Sequence, residues 1–182
     1  EANSAYAYNY NIFTNGTLAT PVNLEGVTTN TTLRWDSPGV YFVGLNGSFP
    51  HFEGGAEGQK IVDVLQWGDT NLQSLERMFK FSPVTSFSAS DTPDLSDVIS
   101  MDYMFLFASA FNDDISSWDT TSVKSMDYAF YGAKSFDQDL SSWCVEEVPN
   151  AIKFATSSPL ANDMDKQPKW GEPCALPDFS SD

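Results

Sequence analysis

Histidine is nearly missing from this chain of 182 residues: His51 is the only one, between Pro50 and Phe52. A Ser-His-Asp triad could be built only there, and the setting is that of a loop residue. A carboxylate pair could hydrolyse a glycoside. With 25 acids, though, such pairs arise from composition alone, and no catalysis is expected. Bases are scarce too, nine against those 25 acids, for a net charge of −16. That balance argues against nucleic acid or an anionic membrane as partner and favours a cation, a basic partner or a salty medium. No apolar run approaches the length of a membrane span. No charged segment followed by a short apolar stretch opens the chain as a secretory signal would. The first residue is Glu1 rather than Met, as expected of a domain cut from a longer protein. Calcium-loop motifs are absent: there is no EF-hand spacing, and Asp91, Asp94 and Asp97 recur by three rather than two.

Cysteine is limited to Cys144 and Cys174. With no C-x-x-C or Cys/His spacing, the pair makes a poor zinc site and a reasonable disulfide. A bridge would close a loop of about 30 residues, worth roughly 3–4 kcal/mol in the loop-entropy description, and it implies an oxidising compartment.

What the chain does have is a repeat. Met101-Asp102-Tyr103-Met104-Phe105, Phe111, Asp114-Ile115-Ser116-Ser117-Trp118 and Val123 return as Met126-Asp127-Tyr128-Ala129-Phe130, Phe136, Asp139-Leu140-Ser141-Ser142-Trp143 and Val148, always 25 residues on. A fixed period of this size marks a solenoid. Leu75-Glu76-Arg77-Met78-Phe79 matches with one extra residue of spacing, so about three coils are expected between 61 and 148. Met101, Met104, Phe105 and Ala108 share one helical face, with Ser100 and Ser125 as candidate N-caps, which predicts a short helix in each coil. Asp114-Ile115-Ser116 and Asp139-Leu140-Ser141 predict a short strand with one residue pointing inward.

Before the repeats, Tyr6, Tyr8, Tyr10 and Ile12 alternate with smaller or polar residues, and Val40 to Leu45 is a β-branched and aromatic run; both predict strands. Asn15-Gly16 is a turn signal. Residues 53–60 are Gly-rich and polar, a loop, and Ile61 to Trp67 reads as a buried strand. After Val148 the period fades and prolines accumulate. The expected class is an α/β repeat. It is a short leucine-rich-repeat-like solenoid in one domain: a β-rich N-terminal cap (1–60), about three repeats (61–148) and a disulfide-pinned C-terminal cap (149–182).

The unit Met-x-x-Met-Phe-x-x-Ala-x-x-Phe-Asn-x-Asp-Ile-Ser-x-Trp-Asp-x-x-x-Val resembles the BspA-type leucine-rich repeats of bacterial surface proteins. Gly47-Ser48-Phe49-Pro50 and Gln66-Trp67-Gly68-Asp69 look like that family's entry into its repeats. Trp143-Cys144-Val145 and Lys169-Trp170-Gly171-Glu172-Pro173-Cys174 look like its exit. Within that group, a small acidic version with a β-rich start is similar to the peptide-binding domains of giant RTX-type adhesins. The resemblance implies an extracellular, calcium-assisted module that binds C-terminal peptide ends of host or neighbouring-cell proteins, with roles in biofilm and host colonisation, as a monomeric unit of a larger chain.

Stacked coils lie about 4.8 Å apart, so equivalent residues form columns. Asp69, Asp94 and Asp119 form one acidic column, each before a turn whose backbone the carboxylate could cap. Glu76, Asp102 and Asp127 form another. Carboxylates about 5 Å apart repel by about 3 kcal/mol at an effective dielectric near 20, and a bridging calcium would reverse that sign. The alternative for this column is complementarity to a helix N-terminus. Asp102, Asp127 and Glu76 are thus the candidate calcium ligands, with Arg77 able to neutralise Glu76. Tyr103, Tyr128, Phe81, Phe107 and Tyr131 lie beside them in the repeat frame. They are either core or the aromatic contacts of a peptide site. A carbohydrate-binding module and a spacer without ligand are the competing readings.

Overall fold

The computed structural model describes residues 61–69 and 71–174, together with the backbone of five strands before them. These are β1 (Tyr8–Thr14), β2 (Thr17–Leu18), β3 (Val22–Leu24), β4 (Tyr41–Asn46) and β5 (Ser48–Phe49). β1 pairs antiparallel with β2, β3 and β4, most extensively with β4, from Asn9 opposite Asn46 to Thr14 opposite Tyr41. The strands expected from the alternating tyrosines and from the Val40–Leu45 run are therefore present as β1 and β4. Tyr6, Asn15-Gly16, His51 and the 53–60 loop lie outside the described residues. β5 pairs in parallel with β6 (Asn71–Leu72), Ser48 opposite Asn71 and Phe49 opposite Leu72, which ties the strand-rich segment to the repeats.

Ile61–Trp67 is not a strand. Val62 and Leu65 are about half exposed. Its backbone contacts are single bonds rather than a ladder: Ser82 Oγ donates to the Ile61 carbonyl, and Ala89 N–H to the Val64 carbonyl. Trp67 alone is fully committed to the core.

The repeats contain no α-helix; among the described residues the only helical turns are 3₁₀ segments at Pro159–Asn162 and Met164–Lys166. The expected helices are instead chains of tight turns. The N–H groups of Met104, Leu106 and Ala108 bond to the carbonyls of Met101, Tyr103 and Phe105, three residues back. The N–H groups between them point along the stack. Met101, Tyr103, Phe105 and Phe107 donate to Ser125, Asp127, Ala129 and Tyr131 at 2.7–2.9 Å. The same alternation links 75–81 to 100–106 and 128–132 to 152–156. The physical reason for the misreading is that these turns bury the same positions as a helix: Met101, Met104, Phe105 and Ala108 are all at most 1% exposed. Half of the donors are then free to join one repeat to the next, which a helix would not allow.

The stack continues beyond Val148. Residues 151–158 accept from 128–132 and form their own turns, Thr156 N–H to Lys153 and Ser158 N–H to Ala155. The turn pattern therefore runs past the boundary expected at 148, to about residue 158. The sequence hid this fourth turn because Ala129-Phe130 is followed, 25 residues on, by Phe154-Ala155. The large and small residues have exchanged places, and both new positions are 4% exposed.

The core is a set of aromatic columns. Phe79, Phe105 and Phe130 stack at 5.1 and 5.2 Å, and Phe111 on Phe136 at 5.7 Å. All five are 0% exposed. Burial of each contributes about 1.5–3 kcal/mol relative to exposure. The expected strands at 114–116 and 139–141 are turns closed by carboxylates, Asp114 Oδ1 accepting from Ser116 N–H at 3.0 Å and Asp139 Oδ1 from Ser141 N–H at 2.9 Å. Ile115 and Leu140 nevertheless point inward. Cys144 and Cys174 form a disulfide, with Cα atoms 5.3 Å apart.

Candidate functional site

Each turn chain needs left-handed backbone at two fixed places. Tyr103 is third in the turn 101–104 with φ 58°, and Phe107 is third in 105–108 with φ 55°. Positive φ at this position is what a type II turn requires, and glycine or asparagine normally supplies it. Here the first place is taken by Arg77, Tyr103, Tyr128 and Lys153, and the second by Phe81, Phe107, Gly132 and Ser157. Left-handed backbone at a residue with a Cβ costs roughly 1–2 kcal/mol. Six long side chains are thus held where glycine would be easier.

The first column is a ladder of cation, ring, ring and cation. Arg77 lies over the Tyr103 ring at 5.4 Å, Tyr103 stacks on Tyr128 at 5.1 Å, and Lys153 lies over Tyr128 at 5.7 Å. In the second column Lys80 lies over Phe81 at 5.4 Å and Phe81 stacks on Phe107 at 5.4 Å. Phe107 meets Tyr131 edge to face at 5.4 Å, and Tyr131 reaches Tyr128 at 5.7 Å, so the two columns join. Phe81 and Phe107 are 46% and 43% exposed, unlike the buried core columns behind them. All five aromatic residues expected at the site are gathered on one face. Arg77, Lys80 and Lys153 were not foreseen as members of this ladder, although the 25-residue frame places Lys153 in register with Tyr128.

The acids beside the ladder meet hydrogen-bond donors of the following turn or a neighbouring cation. Asp102 Oδ1 accepts from Asp127 N–H at 2.7 Å and from Ser125 Oγ at 2.5 Å. Asp127 Oδ1 accepts from Ile152 N–H at 2.7 Å. Each aspartate thus fastens the next turn. Glu76 pairs with Arg77 at 2.8 Å. Among the described residues no three acidic, His or Cys side chains converge as a metal cluster. In the other acidic column, Asp94 Oδ1 accepts from Ser96 N–H and Asp119 Oδ1 from Thr121 N–H, the turn-capping role. The Ser96 hydroxyl and N–H hold the Asp94 carboxyl below its ordinary value.

The described turns thus carry an aromatic and cationic face. A family model described as "Mycoplasma protein of unknown function, DUF285" matches residues 49–167. The chain belongs to that family, a BspA-like domain associated with surface proteins. No curated protein and no solved structure matches the chain.

Proposed function

We propose that this domain is a non-catalytic peptide- or protein-binding module of a bacterial surface adhesin, built as a short leucine-rich-repeat-like solenoid and acting extracellularly. One observation carries the reading: the half-buried ladder of Arg77, Tyr103 and Tyr128, ending in the exposed Lys153, lies beside the exposed Phe81 and Phe107, all six kept in left-handed backbone, with Tyr131 joining the two columns. Strain that recurs at one face is a reason to look for function there. Aromatic and arginine side chains are the usual anchors of protein contacts.

The ladder's geometry favours peptide over carbohydrate. A sugar ring stacks on a free aromatic face, and here the Tyr103 and Tyr128 faces are taken by each other and by Arg77 and Lys153. What is offered is ring edges, which carry positive charge, and the terminal cations. These suit backbone carbonyls and a C-terminal carboxylate. Calcium, in this proposal, would meet the ligand beside Asp102 and Asp127 through oxygens not already engaged by the following turn. The disulfide and the acidic surface fit an oxidising, extracellular setting.

A peptide array and a glycan array probed with the native domain and with Tyr103→Ala/Tyr128→Ala, each with calcium and with EDTA, test the proposal. Peptide signal lost in the double variant is the expected result. Glycan signal alone would overturn it. Peptide binding unchanged by EDTA would remove calcium from it.

A further inference from the structure

Among the described residues, the stack ends on a row of unmet donors. At each earlier level, the N–H groups that do not close turns donate to carbonyls of the next level: Phe79 to Met104, Phe105 to Ala129 and Phe130 to Phe154 among them. The fourth turn repeats that backbone. Lys153 and Ser157 have φ 50° and 66°, as at Tyr103 and Phe107, and Thr156 and Ser158 N–H close the same short turns. The N–H groups of Lys153, Ala155 and Ser157 therefore face onward, and they meet no acceptor among the described residues. Ala155 is 4% exposed, and a buried N–H is normally paired.

The chain itself returns to this level. Cys174 is bonded to Cys144, Gly171 N–H donates to the Val145 carbonyl at 3.1 Å, and Trp170 meets Phe154 edge to face at 4.8 Å. Residues 175–182 follow directly and lie outside the described residues. Their sequence fits the edge position by position in the 25-residue frame. Asp178 falls beside Lys153, which is exposed and ends the ladder, Phe179 beside Phe154, and Ser180 beside Ala155. A carboxylate meets an ammonium, a ring meets a ring, and a small side chain covers a buried alanine.

The acid column gives an independent sign. Asp102 accepts from Asp127 N–H, and Asp127 from Ile152 N–H, each 25 residues on. Ile152 has no carboxylate to offer the next position. That position is Pro177, which has no N–H to be met. The acceptor and the donor of this column disappear together.

We propose that residues 175–182 dock on this edge as a fifth level of the stack. The carbonyls of Pro177, Phe179 and Ser181 accept from Lys153, Ala155 and Ser157 N–H, in the 24-residue step that links Tyr128 to Ile152 and Phe130 to Phe154. Asp178 pairs with Lys153. An anion then closes that end of the ladder, and a ligand carboxylate is left the Arg77 and Lys80 end. This last consequence rests on the ladder as a peptide site, whereas the docking does not.

The test is NMR of the native domain without peptide, through contacts between the Phe179 and Phe154 rings and through hydrogen exchange at the Ala155 and Ser157 N–H groups. Ring-to-ring contacts and protected amides are expected at every protein concentration. Phe179→Ala should abolish that protection and leave it intact at Met101, Tyr103 and Phe105. Asp178→Lys should lower it, and Lys153→Asp added to that change should restore it. Unprotected amides in the native domain, protection unchanged by Phe179→Ala, or protection that grows with concentration, as for a second copy on the edge, would overturn the docking. Failure of the charge exchange to restore protection would overturn the pairing of Asp178 with Lys153. No peptide is present, so the outcome is separable from the ladder's ligand.

Discussion

The ring of Phe107 occupies the space above Gly132: a Cβ built on Gly132 would lie 2.4 Å from Phe107 Cδ1 and 2.7 Å from Cε1. Gly132 also has φ +72°. The absence of a side chain in one turn is thus what lets the aromatic residue of the preceding turn lie down. Gly132→Ala should lose about 1 kcal/mol from the left-handed backbone, plus the cost of lifting the Phe107 ring off Phe81 and Tyr131. Urea unfolding should show a loss of roughly 1–3 kcal/mol. Gly132→Ala combined with Phe107→Ala should lose less than the two changes summed, because the clash is removed.

The legibility of this chain divides along the same line. The 25-residue period, the buried columns at Phe105/Phe130 and Phe111/Phe136 and the pairing of Cys144 with Cys174 were readable because each repeats a side chain or leaves one partner. The turn chain was not readable. Met101, Met104, Phe105 and Ala108 carry the spacing of a helix, and only the left-handed φ at Tyr103 and Phe107 separates the two, at residues that do not normally announce it. The exchange of Ala129-Phe130 for Phe154-Ala155 concealed a whole turn. At the site, the aromatic members were visible by column, whereas the aspartates looked like repelling charges because a sequence does not show the N–H that each one meets.

Asp102 and Asp127 provide a way to separate fastening from metal binding. Asp127→Ala removes the acceptor of Ile152 N–H, and Asp102→Ala that of Asp127 N–H. Each should cost about 1–3 kcal/mol if the donor stays buried, and less to the extent that water reaches it. The Asn variants retain an oxygen and should melt close to the native domain in EDTA. With calcium added, a native domain whose melting temperature rises while the Asn variants stay still would assign the metal to this column. Equal curves in calcium and EDTA for all forms would leave fastening as the column's only role.

Acid should unfold the domain by a readable route. The carboxyls of Asp94, Asp114 and Asp139 are held below their ordinary value of 3.8, first by the hydroxyls and then by the N–H groups of Ser96, Ser116 and Ser141. The unfolded chain therefore takes up protons more readily, and folding is favoured as pH rises through this range. Their contribution is fully present above pH 3.8 and is lost as pH falls through the lowered folded values. Ser96→Ala, Ser116→Ala and Ser141→Ala together should flatten the fall in melting temperature below about pH 4. Lys166 works in the opposite sense. Its ammonium is raised above 10.5 chiefly by hydrogen bonding to Asp137, so its contribution is present below 10.5 and is lost as pH climbs past the raised value.

The disulfide should hold the end of the stack rather than its middle. Cys144 and Cys174 are 30 residues apart, and the loop between them contains the fourth turn, both 3₁₀ segments and Trp170, which meets Phe154 edge to face at 4.8 Å. Opening the bridge restores chain entropy to the unfolded state worth roughly 3–4 kcal/mol. The backbone bonds that tie the loop to the stack, from 128–132 to 152–156, remain available. Cys144→Ser/Cys174→Ser should therefore lower the melting temperature markedly. Hydrogen exchange should accelerate first at Tyr128, Phe130 and Gly132, whose N–H groups bond to the fourth turn, and later at Met101, Tyr103 and Phe105, which bond within the stack. Uniform acceleration across both groups would mean that the repeats open as one unit and that the bridge stabilises all of them alike.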